Sequence, residues 1–481
     1  MFRNVFWSAA RNWGTRLGSV AVFFVLARIL DAGQLGTFSA ILAIMAVAEL
    51  FAENGLGDAV IQSKSINERI LSATLAINVG LAALLALILI ASAGTLERAF
   101  DAPGLPPYLT VAIMSLLLNA TSYVPQGFFR RAFAYRWLAM RALISTFISG
   151  TLAIGLAVAG FGVWSLVVQA VSFALLNAIL VWWKRPFNPF ARPDFAGAMP
   201  LVRFGLFLLG GRLLGYMSTR AIELVIAFRF GPAQLALYII GTRVYYVAAQ
   251  LITTVLVDVG YSTIADLKTR GENVEATVLN LLRMGTMVAV PLFMGMAATA
   301  QELCHVAFGA KGPAAAPFLT IVGFYGSLQM LVYLANTIVS ASGRPKFETA
   351  VLAVQAAASV LILLPPWNFS ATTLVLVNCA VAMVALPVAT IWATRTANIP
   401  LLRYVKIAYP PYVAGLLMAA AIFAMRDHTL VGQIGSPFLR GSLLVALGAS
   451  IYMAALILIA PKAARQAAGT LKMRLAARRA G

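Results

Sequence analysis

The chain alternates long apolar segments with short polar connections. An apolar segment of roughly 20 residues is long enough to cross the hydrocarbon core of a bilayer as a helix. Judged by length and flanking charge, the sequence predicts about fourteen such spans. They cover residues 6–29, 35–57, 70–94, 108–128, 142–159, 163–183, 201–228, 234–257, 278–300, 316–340, 347–364, 372–392, 407–425 and 438–460.

The composition points to the same class of protein. Hydrophobic residues make up 61% of the 481 residues and charged residues only 11%. These fractions exclude an ordinary soluble domain, and the segment lengths exclude the strands of a membrane barrel. We therefore expect an all-α polytopic membrane protein. Cys304 and Cys379 form no motif and are expected to be free thiols.

The distribution of basic residues predicts the orientation of the chain. A net charge of +20 would suggest nucleic acid as the partner of a soluble protein. Here most basic residues fall in short connections, so we expect topology and anionic lipid to explain them, and no nucleic-acid partner. With the N-terminus inside, the outer connections hold only Arg98, Arg229, Lys311 and Arg426. The excess of basic residues in the inner connections holds along the whole chain if the number of spans is even and both termini are cytoplasmic.

The seventh and eighth predicted spans each carry polar side chains on one helical face, at about 100° per residue. These are Arg212, Tyr216, Arg220 and Glu223 on the seventh, and Arg243 and Gln250 on the eighth, with Asp258 at its edge. An Arg near the bilayer centre costs roughly 3 kcal/mol, so these side chains need a wet or protein-lined interior. In one interpretation Arg220 and Glu223 form an ion pair that locks helices together. We favour a cavity for an anionic ligand, because Arg212 and Arg243 have no obvious acidic partner.

The first two predicted spans also contain charges. Glu49 and Glu53 are four residues apart and share a helical face, where two carboxylates should not both ionise readily. That arrangement suits a proton or sodium site, with Glu223 and Asp258 as further candidates for ion coupling. Alternatively, Glu49 and Glu53 neutralise Arg16 or cap the inner end of the bundle. We expect no cofactor and no metal site beyond this coupling to an H⁺ or Na⁺ gradient.

Residues 54–58 follow Glu53 at the end of the second predicted span and include two glycines. They predict a flexible helix end, with Asp58 at the membrane interface.

A weak internal repeat relates the two halves of the chain. The connection 30–38 resembles the connection 230–238, and Arg16 lies in the first span much as Arg212 lies in the seventh. Six spans separate the copies, so they cross the membrane in the same direction. This predicts a parallel pseudo-two-fold repeat, with a binding site between the halves and Arg16, Arg212 and Arg243 near the midplane.

Several runs resemble polysaccharide-biosynthesis transporters of the Wzx flippase type. This family belongs to the multidrug/oligosaccharidyl-lipid/polysaccharide exporter superfamily. The runs are residues 26–38, which begin Leu26-Ala27-Arg28, residues 55–62, which begin Gly55-Leu56-Gly57-Asp58, Pro125-Gln126-Gly127-Phe128-Phe129-Arg130-Arg131 and Gly160-Phe161-Gly162-Val163-Trp164-Ser165-Leu166-Val167. The chain departs from the family at Asp31, where such proteins often have Gly before Pro.

The resemblance implies two six-helix bundles, which we assign to residues 1–185 and 186–395. Residues 396–481 would form two additional helices and a basic cytoplasmic tail. It also implies the cargo, an oligosaccharide repeat unit on a polyprenyl diphosphate, flipped across a bacterial inner membrane by alternating access. Candidate cargo-binding residues are Arg16, Arg212, Tyr216, Arg220, Arg243 and Gln250. Expected partners are the lipid bilayer, the lipid-linked oligosaccharide, and a polysaccharide polymerase with its export machinery.

Three other functions compete with flipping of a lipid-linked sugar. A multidrug antiporter of the same superfamily would need acidic cavity walls for cationic drugs, whereas the midplane charges here are mainly Arg. A peptidoglycan lipid flippase has the same number of spans and a cationic cavity. A membrane polysaccharide polymerase or ligase would need a catalytic loop. Glu97, Asp101, His305 and His428 form no convincing catalytic constellation, so we expect a protein that is not an enzyme.

The topology leads to a reporter prediction. A reporter that is active only outside the cytoplasm should be silent when fused after Gly481, because basic residues crowd the C-terminal tail. The same reporter fused near Ala102 should be active. Activity after Gly481 would mean an odd number of spans.

Overall fold

A computed structural model describes residues 14, 18–63, 66–342, 345–363, 368–426 and 435–461. For residues 32, 218–219, 251, 254–259, 262, 345–349, 352 and 362–363 it describes the backbone alone. All regular secondary structure in these ranges is helical, as expected for the all-α class. The chain divides into two compact units, Met1–Ile239 and Ile240–Gly481. The predicted boundaries at residues 185 and 395 stay a prediction.

Within the described residues, eight helices begin in the first unit. They are α1 (Gly18–Ile29), α2 (Ala32–Glu53), α3 (Leu56–Gln62), α4 (Glu68–Ala99), α5 (Leu105–Arg131), α6 (Tyr135–Val158), α7 (Val163–Trp183) and α8 (Phe195–Thr269). Helix α8 leaves helical geometry at Gly231, with φ 77° and ψ 177°, just before Pro232. This break confirms the turn predicted between the seventh and eighth spans.

In the part of the second unit that the structure describes, eight further helices and one 3₁₀ turn at Gly309–Lys311 follow. The helices are α9 (Glu275–Ala298), α10 (Ala300–Phe308), α11 (Gly312–Ala341), α12 (Pro345–Leu363), α13 (Ala371–Ala382), α14 (Ala385–Thr396), α15 (Leu401–Arg426) and α16 (Pro437–Ile459). Helices α9, α15 and α16 share a buried apolar core that includes Val290, Met294, Met418 and Leu444.

The helices confirm a multi-pass membrane protein. In the described ranges, twelve helical segments are long and apolar enough to cross a membrane, and Gly18–Ile29 is a shorter apolar helix. The first and eleventh predicted spans, 6–29 and 347–364, lie partly outside the described residues. The count of fourteen therefore stays a prediction.

The connection between α1 and α2 is held by a capping box. The backbone N–H of Gln34 donates to Asp31 Oδ1 at 2.7 Å, and the backbone N–H of Asp31 donates to Gln34 Oε1 at 3.1 Å. These reciprocal bonds satisfy donors that a helix start leaves open. A Cβ built on Gly36 would lie 2.6 Å from the backbone of Pro232, so the two similar connections of the predicted repeat pack against each other.

Helices α2 and α3 are separated by a sharp break at Asn54 and Gly55. Asn54 has φ 28° and Gly55 has φ 74°, a left-handed conformation that glycine adopts without a steric penalty. The side chain of Asn54 accepts from the backbone N–H of Leu56 at 3.2 Å and donates to Asn78 at 3.0 Å. Asn78 in turn donates to the carbonyl oxygen of Ala120 at 2.8 Å. This buried chain of hydrogen bonds satisfies polar groups that the break would otherwise leave unpaired.

Glycines let two neighbouring helices approach this break closely. A Cβ on Gly205 of α8 would lie 2.8 Å from the carbonyl oxygen of Asn54. A Cβ on Gly57 of α3 would lie 2.9 Å from the carbonyl oxygen of Tyr123, and one on Gly127 of α5 would overlap the backbone of Gly57. Small residues at such positions allow helix backbones to come into contact inside a membrane.

Gly127→Val should therefore destabilise the first unit. The added side chain would overlap backbone that has little room to move, and overpacking of this kind costs about 1–3 kcal/mol. The measurement is the melting temperature of the purified protein in detergent. Gly155→Val in α6 is the matched control, because nothing lies within 4 Å of a Cβ built there. Equal melting temperatures for the two variants would refute the close contact of α3 and α5.

Candidate functional site

Arg212 lies inside the apolar segment Phe195–Met217 of α8 and meets two carboxylates there. Its Nη1 is 2.8 Å from Glu53 Oε1, and its Nη2 donates to Asp58 Oδ2 at 2.6 Å. Glu53 is the last residue of α2, and Asp58 lies in the first turn of α3. The helix break thus presents two acidic side chains to one guanidinium group.

A second arginine joins this group from α5. Arg130 Nη1 lies 3.3 Å from Asp58 Oδ1, so Asp58 contacts two guanidinium groups. We call Glu53, Asp58, Arg130 and Arg212 the Arg212 cluster. It contains two acidic and two basic side chains, so their formal charges balance. Such balance lowers the cost of holding charges at a site that is partly removed from water.

The Arg212 cluster borders a small pocket and is not sealed from it. The side chains of Arg212 and Asp58 are 29% and 30% exposed, and that of Glu53 is 41% exposed. Tyr123 and Gln126 of α5 also line the pocket, as do Gly55 and Gly57. The pocket has room for about one water molecule. Water and protons can therefore reach the guanidinium of Arg212 and the carboxylates.

Glu49 lies one turn before Glu53 and contacts a neutral partner. The side-chain amide of Asn119 donates to Glu49 Oε1 at 3.2 Å. The predicted shared face of Glu49 and Glu53 thus points toward α5 and α8, which supply Asn119 and Arg212. The suggested partner of these glutamates, Arg16, lies outside the described residues, so its predicted position and role stay a prediction.

The expectation that Arg212 lacks an acidic partner is wrong. Its partners come from α2 and α3, and Asp58 precedes it by 154 residues in the sequence. Helical periodicity compares residues within one helix and does not detect carboxylates on another. The sequence placed Asp58 at the membrane interface and did not predict its contact with Arg212, because that contact also joins two different helices. The cargo-binding role of Arg212 stays a prediction.

The pairing of Arg220 with Glu223 belongs to the interpretation that was not favoured, and the pair itself is confirmed. The two side chains form an ion pair at i,i+3 on α8, and Glu223 is buried. Tyr216 lies one turn before Arg220. The proposed roles of Tyr216 and Arg220 in cargo binding, and of Glu223 in ion coupling, stay predictions.

The remaining candidates belong to the second unit. Arg243 is half-buried and Gln250 is exposed on α8, while the side chain of Asp258 lies outside the described residues. Their proposed roles stay predictions.

Sequence reasoning missed Arg130, Asn119, Tyr123 and Gln126 as members of the site. Glycines were the available signal, because Gly57 and Gly127 fall in the runs that carry the family resemblance. Within the described residues no group of three or more His, Cys, Asp or Glu side chains is arranged to hold a metal ion.

Comparison with solved structures shows the fold of a membrane transporter. The chain is similar to lipid II flippase MurJ in an inward closed conformation, with a TM-score of 0.72 and 12% identity, covering 94% of this chain and 100% of that one. It is also similar to an inward-facing multidrug resistance MATE family transporter of the MOP superfamily. There the TM-score is 0.58 and the identity 13%, covering 81% of this chain and 98% of that one.

The sequence places the chain in a family. Residues 25–317, more than half of its length, match the family described as polysaccharide biosynthesis protein, and the chain belongs to that family. It is 23% identical over 463 residues to the succinoglycan biosynthesis transport protein ExoT of Rhizobium meliloti (strain 1021), covering 95% of this chain and 92% of that protein. It is 22% identical to the lipopolysaccharide biosynthesis protein WzxC of Escherichia coli (strain K12), covering 66% of this chain and 65% of that protein. The predicted resemblance is confirmed.

Proposed function

We propose that the protein flips polyprenyl-diphosphate-linked oligosaccharide repeat units across the bacterial inner membrane, by alternating access, for the synthesis of exopolysaccharide, O-antigen or capsule. The observation that carries this proposal is the Arg212 guanidinium, which lies within a membrane-spanning segment and borders a pocket. Membership of the polysaccharide biosynthesis family supports the saccharide part of the cargo. A polysaccharide polymerase and its export machinery would then receive the flipped unit.

The chemistry of arginine suits the diphosphate part of the cargo. A diphosphate does not cross hydrocarbon unaided, and the planar fork of a guanidinium forms paired hydrogen bonds with phosphate oxygens. Arg212 already donates from Nη2 to Asp58 at 2.6 Å and places Nη1 2.8 Å from a carboxylate oxygen of Glu53. Its geometry therefore fits oxygen anions, and Glu53 and Asp58 hold its place when no cargo is bound.

The proposed transport step is an exchange of partners at Arg212. A diphosphate that binds Arg212 replaces Glu53 and Asp58, which leaves Glu53 without its ion pair and Asp58 with Arg130 alone. Carboxylates in that state favour uptake of a proton or sodium ion, because an uncompensated charge in a low-dielectric site is costly. Glu49, one turn away, adds a further carboxylate to the same face. Cargo binding and ion uptake would then be coupled through one arginine.

Arg212→Ala should stop export while the protein still inserts in the membrane. Loss of the charged hydrogen bonds to the diphosphate, about 1.5–3 kcal/mol, corresponds to a decrease of roughly 10- to 100-fold in cargo affinity. Arg212→Lys should retain part of the activity as a point charge without the fork. The measurement is the appearance of lipid-linked oligosaccharide in the outer leaflet, with protein level determined in the same membranes.

Arg185→Ala is the matched control, because Arg185 is exposed at the end of α7 and should leave export unchanged. If Arg212→Ala is made in normal amounts and exports cargo at the wild-type rate, the role of Arg212 is excluded.

The double substitution Glu49→Gln and Glu53→Gln should remove the dependence of transport on an ion gradient. The amides keep the shape of the side chains but do not take up a proton or hold a cation as carboxylates do. The measurement is flipping in proteoliposomes with and without an imposed proton or sodium gradient. Glu68→Gln, at an exposed position at the start of α4, is the control. A gradient response equal to that of the wild type would remove both glutamates from the coupling step.

A further inference from the structure

A second basic site lies in the second unit, between the start of α9 and the start of α15. Glu275, Leu279 and Arg283 of α9 and Arg403 and Ile407 of α15 line an open cavity of about 590 Å³. We call this cavity the α9–α15 pocket. Its volume falls within the range of about 300–1,000 Å³ that is typical of small-molecule sites.

The charges around the α9–α15 pocket favour an anion. The lining of the pocket contains two guanidinium groups, those of Arg283 and Arg403, and one carboxylate, that of Glu275. Arg403 forms an ion pair with Glu275, and its side chain remains 61% exposed. An ion pair with so exposed a partner contributes little free energy, so an anionic ligand can compete with Glu275 for Arg403.

The depth of the pocket favours an amphipathic ligand. Arg403 lies at the start of α15, and Arg283 lies about two turns into α9, roughly 12 Å along the helix from Glu275. Leu279 and Ile407 lie between these charged groups and add apolar surface. A ligand with an anionic head and an aliphatic tail would meet both kinds of surface.

The surroundings of the pocket are those of a bilayer interface. Leu402 and Val405 of α15 are 66% and 47% exposed, as expected of side chains that face lipid. The exposed Lys406 lies beside them. Close by in the sequence, Lys268 Nζ donates to the carbonyl oxygen of Thr396 at 3.3 Å. By the charge bias this basic side is the cytoplasmic one, where anionic lipids attract Lys and Arg.

We propose that the α9–α15 pocket binds the phosphate head group of an anionic phospholipid from the surrounding bilayer. The phosphate lies between Arg283 and Arg403, against the side chains of Leu279 and Ile407, and the acyl chains leave the pocket toward the surrounding lipid. Glu275 holds Arg403 when the pocket is empty and gives it up when the lipid binds. The site is separate from the Arg212 cluster and does not depend on the proposed transport of lipid-linked oligosaccharide.

The test is lipid binding by the purified full-length protein, with phosphatidylglycerol compared with phosphatidylcholine by native mass spectrometry. Each cationic side chain near a lipid surface contributes about fivefold in affinity, so Arg283→Gln and Arg403→Gln should each weaken phosphatidylglycerol binding by about that factor. Glu275→Gln should strengthen it, because Arg403 loses its competing partner. Phosphatidylcholine should bind weakly to every variant.

Two further variants serve as controls in the lipid-binding experiment. Arg185→Gln, an exposed arginine on the same predicted membrane side but in the first unit, should bind phosphatidylglycerol as the wild type does. Arg403→Lys keeps the charge and should retain most of the binding, which preserves a test if either Gln variant fails to fold. Wild-type affinity in both Arg→Gln variants would overturn the proposal. Displacement of the lipid by glycerol phosphate at equal concentration would also overturn it, because the site would then take a soluble phosphate.

Discussion

The ion pairs of Arg212 are the interaction on which the first unit depends. A guanidinium inside an apolar helix is costly unless an opposite charge lies close to it. Helix α8 carries no carboxylate near Arg212, so the partners must come from elsewhere in the chain. The break between α2 and α3 supplies them, because it places Glu53 and Asp58 on either side of Asn54 and Gly55, within 2.8 Å and 2.6 Å of Arg212.

The break between α2 and α3 therefore accounts both for the close packing of the helices and for the Arg212 cluster. Glycines bring the backbones of α5 and α8 against the break, and that proximity lets short acidic side chains reach arginines on both neighbours. The carboxylates are not sealed from the pocket, since 41% of the Glu53 side chain and 30% of the Asp58 side chain remain exposed. A site that is balanced in charge but open to a pocket suits an exchange of one anionic partner for another, which the proposed transport of a diphosphate requires.

Much of the fold could be predicted from the sequence, because the apolar segments and the basic connections follow from the bilayer itself. The Arg220–Glu223 pair could be predicted as well, since both residues lie on one helix at a spacing of three. The Arg212 cluster could not, because contacts between α2, α3, α5 and α8 depend on how the helices pack. Gly57 and Gly127 in the family-like runs were the signal that a close contact existed, but they do not identify which side chains meet there.

The most direct test of the exchange at Arg212 is the affinity of the purified protein for a polyprenyl diphosphate, measured for Asp58→Asn in two backgrounds. In the wild-type background Asp58→Asn should raise the affinity by up to about fivefold, because a carboxylate that competes for Arg212 is lost. In an Arg212→Gln background the same substitution should leave the already weakened affinity unchanged, since there is no guanidinium to compete for. An equal effect of Asp58→Asn in both backgrounds would contradict the exchange.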